Sequence, residues 1–254
     1  MPRVSSHPTG QPIWFDLQTS NAAAARAFYA AVLGWTYEEQ APEYGGYAVA
    51  FKDGAVASGI GQQEPGATYP SAWTVYFGVA SADAACAKIT AAGGSLMFPP
   101  MVIGDQGRMA MCMDPTGAAF GVWEPIKHTG AEAVNEPGAM VWCEVNTRDA
   151  ARASQFYADV FGLTIETMEM QGSPYHMLKN HGEPVAGVLQ MTPEWGDMPP
   201  HWMAYFGVTN AEEAKAAVEK NGGQVHHGPF DTPYGRMIVA ADPQGAAVSF
   251  ITAG

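Results

Sequence analysis

The sequence predicts an α+β protein of two tandem domains, and three observations carry that expectation. The first is an internal repeat. WFDLQTSNAAAARAFYAAVLGW at 14–35 returns as WCEVNTRDAARASQFYADVFGL at 142–163, so that Trp142, Phe156, Tyr157 and Gly162 each stand 128 positions after Trp14, Phe28, Tyr29 and Gly34 (142 − 14, and likewise for the others). A period this long marks tandem domains rather than a solenoid of short repeats. The second observation is that each copy reads as a strand followed by a capped helix. The third is that the chain after each helix breaks into short apolar runs separated by Gly, Pro and Asp, the punctuation of hairpins. Together these spell a βαβββ unit, written twice in each half.

The elements follow in order. Residues 1–12 hold Pro2, Pro8, Gly10 and Pro12 and read as a loose arm. Residues 13–19 are bulky and bounded by Pro12 and Ser20, which suits a strand. Ser20 or Asn21 caps an alanine-rich helix in which Ala24, Phe28, Ala31 and Val32 form an apolar stripe, and Gly34 stops it. Runs such as 47–51 and 55–61 are then broken by Pro42, Gly45-Gly46 and Asp53-Gly54, which gives three strands. The pattern restarts with a strand at 73–79, a cap at Ser81 or Asp83, a helix over 84–92 and its stop at Gly93-Gly94. Short strands at 95–97, 108–113 and 118–123 complete the first domain, 13–124, with Asp114-Pro115-Thr116-Gly117 as the last turn. A polar stretch at 125–138 has no match inside the repeat and reads as a linker. The second domain, 139–254, repeats the order. Tyr47 and Gly59 return as Tyr175 and Gly187, and Gly107-Arg108-Met109 and Asp114-Pro115 as Gly235-Arg236-Met237 and Asp242-Pro243, all at 128. Trp73, Phe77, Gly78 and Val79 return at 129 as Trp202, Phe206, Gly207 and Val208. One residue is gained and later lost, near Gly/Pro-rich connections where length changes cost little.

Composition narrows the function. A chain of 254 residues that is 47% hydrophobic and 15% charged is that of an ordinary globular protein. The net charge of −13, with only 12 Lys and Arg, argues against nucleic acid as a partner. Cys86, Cys112 and Cys143 have no CxxC spacing and read as buried thiols rather than a disulfide framework. The segment MPRVSSHPTGQP has no apolar core of an export signal, and no run approaches the ~20 apolar residues of a membrane span. A cytoplasmic protein without a membrane partner is expected.

A strand, a helix opening on a small polar cap, Phe-Tyr eight residues on, a Leu-Gly or Phe-Gly stop and a late Asp-Pro-x-Gly turn resemble the vicinal oxygen chelate superfamily, which includes glyoxalase I, bleomycin and fosfomycin resistance proteins and extradiol dioxygenases. The resemblance covers nearly the whole chain, twice. It implies tandem glyoxalase/bleomycin-resistance domains, with four βαβββ modules forming curved mixed sheets, a cup on the concave face and helices outside. Alternation along the strands gives each cup a content without borrowing from the family. Trp14, Asp16 and Gln18 oppose Phe15 and Leu17; Thr74 and Tyr76 oppose Val75, Phe77 and Val79. In the second half Trp142, Glu144 and Asn146 oppose Val141, Cys143 and Val145; Met203 and Tyr205 oppose Ala204 and Phe206; Ser249 opposes Val248 and Phe250. With the apolar sets against the helices, each cup is lined by aromatics, a few polar groups and one carboxylate, the makeup of a small-molecule pocket.

The resemblance also implies where a metal would be held: early on the first strand, at the start of the fifth, and near the end of the eighth. Those positions carry Trp14, Thr74 and Gly121 in the first half and Trp142, Met203 and Ser249 in the second. None is a usual ligand, so neither a metal nor another cofactor is expected. A further position sometimes used, on the fourth strand, falls near Gly59 or Ile60 in the first half and Gly187 or Val188 in the second. His7 lies in the arm and His128 in the linker, so the first domain has no histidine of its own. A displaced second-domain site of His201, Glu144 and His176 is the alternative.

Asp16 and Glu144 are the most informative residues, because an acid on an enclosed strand face must be paired, hydrated or functional. Each either binds a ligand hydroxyl or amine or acts as a general base on an acidic C–H, or else simply forms a salt bridge with an arginine of its own sheet, Arg108 or Arg236. Trp14, Gln18, Thr74, Tyr76, Arg108, Trp142, Asn146, His201, Met203, Tyr205, Arg236 and Ser249 complete the candidate ligand contacts. Met109, Met111 and Met113 read as core filling. No phosphate-cradling glycine loop, serine elbow or HExxH occurs. The expected function is a metal-independent superfamily protein that sequesters a small organic molecule or performs modest acid–base chemistry on it. The alternatives are a metal-dependent glyoxalase-like lyase or dioxygenase, and an interaction protein whose cups are filled by Trp14, Trp73, Trp142 and Trp202. The sequence leaves open whether modules pair within or across halves. Four modules in one chain suit a pseudo-dimeric monomer or a weak homodimer.

Overall fold

The computed structural model describes residues 3–41, 44–170 and 172–252. The first half runs β1 (Pro12–Thr19), α1 (Ala22–Leu33), β2 (Thr36–Glu39), β3 (Ala48–Lys52), β4 (Ala55–Gln62), β5 (Ala72–Gly78), α2 (Ala82–Ala91), β6 (Ser95–Ile103), β7 (Gly107–Met113) and β8 (Ala119–Pro125). The second runs β9 (Met140–Thr147), α3 (Ala150–Phe161), β10 (Thr164–Met170), β11 (Ser173–Asn180), β12 (Glu183–Gln190), β13 (His201–Val208), α4 (Ala211–Lys220), β14 (Gln224–Thr232), β15 (Gly235–Ala241) and β16 (Ala247–Thr252). Each half closes its own mixed sheet of eight strands, in the order β2-β3-β4-β1-β5-β8-β7-β6 and its counterpart β10-β11-β12-β9-β13-β16-β15-β14. Modules therefore pair within a half, with β1 antiparallel to β5 and parallel to β4.

The helices start and stop where their caps dictate. Asn21 and Asp149 accept the Ala24 and Arg152 amides, and Gly34 and Gly162 end α1 and α3 in the left-handed conformation at φ 73°. Only a residue without Cβ takes that conformation at no steric cost. β6 is nine residues long, where the sequence suggested three. It runs through Pro99-Pro100 because it is a sheet edge, where a missing donor costs nothing, and its pairing with β7 slips on either side of Phe98.

The helical faces of the two sheets meet each other and share one apolar core. Phe77 stacks on Phe161 with ring centres 4.3 Å apart, and Phe206 meets Trp35 at 5.2 Å. Trp73 and Trp202, considered above as cup fillers, lie in this core on the face away from the cups, the face they share with Val75 and Ala204. Trp73 donates to the Tyr29 hydroxyl, which reaches Asp242 of the other half; Trp202 donates to Tyr157, which reaches Asp114. Each of these aspartates also closes its own turn, through the amides of Thr116 and Ala118 or of Gln244 and Ala246. The repeated Asp-Pro-x-Gly is thus a reciprocal latch between the halves.

The arm is not loose over its described residues. Val4 pairs with Glu132, Gly10 and Gln11 exchange backbone bonds with Gly78, and Asn180 of the second half holds Thr9. Backbone donors beside a strand end and a long linker found partners there, which composition could not foretell. Ala131 and Ala133 of the linker are likewise buried.

Candidate functional site

The strand registers place the candidate residues on common faces. Opposite one another stand Trp14 and Tyr76, Asp16 and Thr74, and, across the parallel pair, Asp16 and Gly59. The second half repeats this with Trp142 and Tyr205, Glu144 and Met203, and Glu144 and Gly187. Gln18 folds over Gly61. Tyr76 faces Gly121 and Tyr205 faces Ser249 on the last strands.

On the floor of each cup a tryptophan, a tyrosine and an acid form a chain. Trp14 Nε1 donates to the Tyr47 hydroxyl at 3.1 Å, and Tyr47 donates to Asp16 Oδ2 at 3.3 Å. Trp142 donates to Tyr175 at 3.0 Å, and Tyr175 to Glu144 Oε2 at 3.0 Å. Tyr47 and Tyr175 were not among the sequence candidates. Their signal was the pairing of each with a glycine at the same offset: a Cβ on Gly59 would lie 1.8 Å from the Tyr47 oxygen, and one on Gly187 1.9 Å from that of Tyr175.

The two acids differ in what remains. Glu144 Oε1 accepts from Tyr205 at 2.6 Å, so both its oxygens are satisfied. Asp16 is one methylene shorter. Tyr76 stands beside it, near enough to ease its charge but outside hydrogen-bonding geometry, and Asp16 Oδ1 is buried with no partner. Only 6% of Asp16 is exposed. Burial raises its pKa to about 7, against the smaller opposing effects of Tyr47 and Tyr76. Burial likewise raises that of Glu144, opposed by Tyr205 and Tyr175.

Arg108 and Arg236 do not answer these acids. Arg108 bonds Asp83 and Glu124, and Arg236 bonds Glu212 and Asp231. Arg108 alternates with Met109 and so shares the side of Ala110 and Cys112, under α2. The salt bridges to Asp16 and Glu144 weighed as the alternative reading are absent among the described residues. Met109, Met111 and Met113, read as core, are half-buried on the face opposite Ala110 and Cys112; Met109 and Met111 pack against the apolar core and stand opposite Met101 and Phe98 of β6. Phe98 and Met101 are exposed.

Histidine enters the first cup from outside the repeat. The His128 ring meets Trp14 edge-on at 4.3 Å and Trp123 at 5.5 Å, and its buried Nε2 has no partner. Burial lowers its pKa to about 4. Placing His128 in a polar linker hid this role, since nothing local shows that the linker crosses the end of β1. In the second cup His201 is engaged at both ring nitrogens, by Asn146 and the Pro199 carbonyl, and His176 bonds Thr167.

A divalent metal is a poor fit to these positions. Trp14 and Trp142 present indole donors, the Tyr76 ring fills the space a side chain at 121 would need, and Ser249 is sealed beside Tyr205. Among the described residues no three His, Cys, Asp or Glu side chains converge to hold a metal. The alternative set of His201, Glu144 and His176 is therefore not assembled.

Paired βαβββ modules with an acid-bearing cup in each half define a class, and comparison with known proteins identifies it. The chain belongs to the Glyoxalase/Bleomycin resistance protein/Dioxygenase superfamily, whose family model matches residues 11–122 and 125–250. CFP32 of Mycobacterium tuberculosis, provisionally named a glyoxylase, is 39% identical over 257 residues, spanning 99% of this chain and 98% of that protein. The anthracycline biosynthesis protein DauV of a Streptomyces species is 34% identical, over 95% of this chain and 93% of its own. The Mn(II)-bound glyoxalase of Novosphingobium aromaticivorans shares the fold at a TM-score of 0.66 and 17% identity, covering 99% of this chain and 83% of that one. No helix among the described residues is long and apolar enough to cross a membrane.

Proposed function

We propose that the protein takes a small organic molecule into its first cup without the family's divalent metal, and either sequesters it or performs acid–base chemistry on it through Asp16. The observation that carries this reading is Asp16 Oδ1, an acidic oxygen buried on an enclosed floor and left without a partner. Buried polar atoms are nearly always satisfied, so an exception calls for a partner that the folded chain does not itself supply, and we read that partner as a ligand atom. A carboxyl group titrating at about 7 is present in both forms near neutral pH, as a group that takes and returns a proton must be. Trp14, Tyr76 and Trp123 surround the site with aromatic surface. An aromatic ligand would suit these walls, and two Streptomyces relatives are named for anthracycline biosynthesis.

The test is untargeted mass spectrometry of molecules retained on the native protein, with elemental analysis of the same sample. A retained organic molecule that is lost in Asp16→Asn supports the reading. Equal retention in that variant removes Asp16 from it, and a stoichiometric transition metal overturns metal independence.

A further inference from the structure

The duplicated cups are not equivalent, and the difference specifies a ligand. A buried carboxylate needs a countercharge or a proton. Within the protein none is offered to Asp16: among the described residues no Lys or Arg pairs with it, and Arg108, the partner weighed from the sequence, is committed to Asp83 and Glu124. Its Oδ2 is held by Tyr47, which leaves Oδ1 to accept one further hydrogen bond. The walls above are apolar and adaptable. Trp14, Tyr76 and Trp123, each under 10% exposed, close around the floor with the His128 ring against Trp14 and Trp123, and Met109 and Met111 stand between them and Phe98, 54% exposed, and Met101, 42% exposed. Flexible methionines against aromatic rings accept flat apolar groups of varied outline, and aromatic faces around an acid favour a cation.

We propose that the ligand of the first cup is a planar, largely apolar molecule bearing one protonated amine, whose N–H is directed to Asp16 Oδ1, and that the second cup does not take it. This rests on the reading of the first cup as a binding site. A neutral hydroxyl would fill the vacant bond but leave the charge uncompensated; an ammonium does both. The net charge of −13 adds a general attraction for cations. In the second cup the extra methylene of Glu144 carries its carboxylate into contact with both Tyr175 and Tyr205, so the acid is already spent. Asn146 Oδ1 and Ser249 Oγ are unpaired there, but both are neutral and supply no countercharge.

Calorimetric titration at physiological salt with tryptamine, and with indolepropionate as its carboxylate counterpart, tests the proposal. Tryptamine is expected to bind one molecule per chain and indolepropionate not to bind. Asp16→Asn should weaken tryptamine by at least about tenfold, the effect of removing one partner from a buried charge pair. Asp16→Glu keeps the charge but carries the carboxylate toward Tyr76, as in the second half, and should weaken binding as well. Circular dichroism and melting of each variant establish that it is folded. Equal affinity in Asp16→Asn, two molecules per chain, or a preference for indolepropionate overturns the proposal. If neither probe binds the wild type, the amine class is wrong, whereas the retained-molecule measurement still decides whether the cup binds anything.

Discussion

Replacing Asp16 by Asn removes one titrating group from the floor of the first cup and leaves its shape nearly unchanged. Tyr47 can still donate to the amide oxygen. In the folded protein burial raises the Asp16 pKa from 3.8 to about 7. The sign follows from which state holds the proton. Below about pH 4 both folded and unfolded chains are protonated at this group and it contributes nothing to pH dependence. Between about 4 and about 7 the folded state keeps a proton that the unfolded state has released, so wild-type stability falls as pH rises. Above about 7 both have lost it and the penalty is constant. At 1.36 kcal/mol per pKa unit the whole effect is on the order of 4 kcal/mol. Asp16→Asn lacks this dependence and should therefore gain on the wild type by that order between about pH 4 and pH 8. Urea denaturation of both proteins across this range measures the difference, in which the contributions of Glu144, His128 and every other group cancel. A difference that stays constant with pH would refute the claim that Asp16 is buried without a countercharge.

Two further outcomes test the scaffold around the site. Gly59→Ala and Gly187→Ala each place a methyl where a tyrosine hydroxyl now sits, so Tyr47 or Tyr175 must swing away and abandon its acid. Each should cost about 1–3 kcal/mol in urea unfolding, and a loss below about 0.5 kcal/mol would show that the hydroxyl is not held there. Tyr29→Phe and Tyr157→Phe strip the central link from the buried chains Trp73–Tyr29–Asp242 and Trp202–Tyr157–Asp114. Each should cost about 1–3 kcal/mol per orphaned group, with both halves still unfolding in one transition because they share a core. Separate transitions for the two halves in the wild type would sink that account.

The sequence by itself determined the duplication, the four βαβββ modules and the faces of the central strands β1, β5, β9 and β13. Repeat spacing and alternation are local properties, and a one-residue error would have turned every apolar side chain of β1 into the wrong layer. It also singled out Asp16 and Glu144, since acids among aromatics on an enclosed face are conspicuous in any reading. Arg108 was misjudged although its parity with Ala110 and Cys112 was legible. What only the tertiary structure decided lies at longer range. The reach of Tyr47 and Tyr175 to their acids depends on β3 and β11 crossing beside a glycine, and the arrival of His128 at Trp14 depends on the path of the linker. The satisfaction of Glu144 and the vacancy at Asp16 turn on one methylene measured against tyrosines on neighbouring strands. Distances between strands arise from the packing of the whole sheet, and no stretch of sequence carries them.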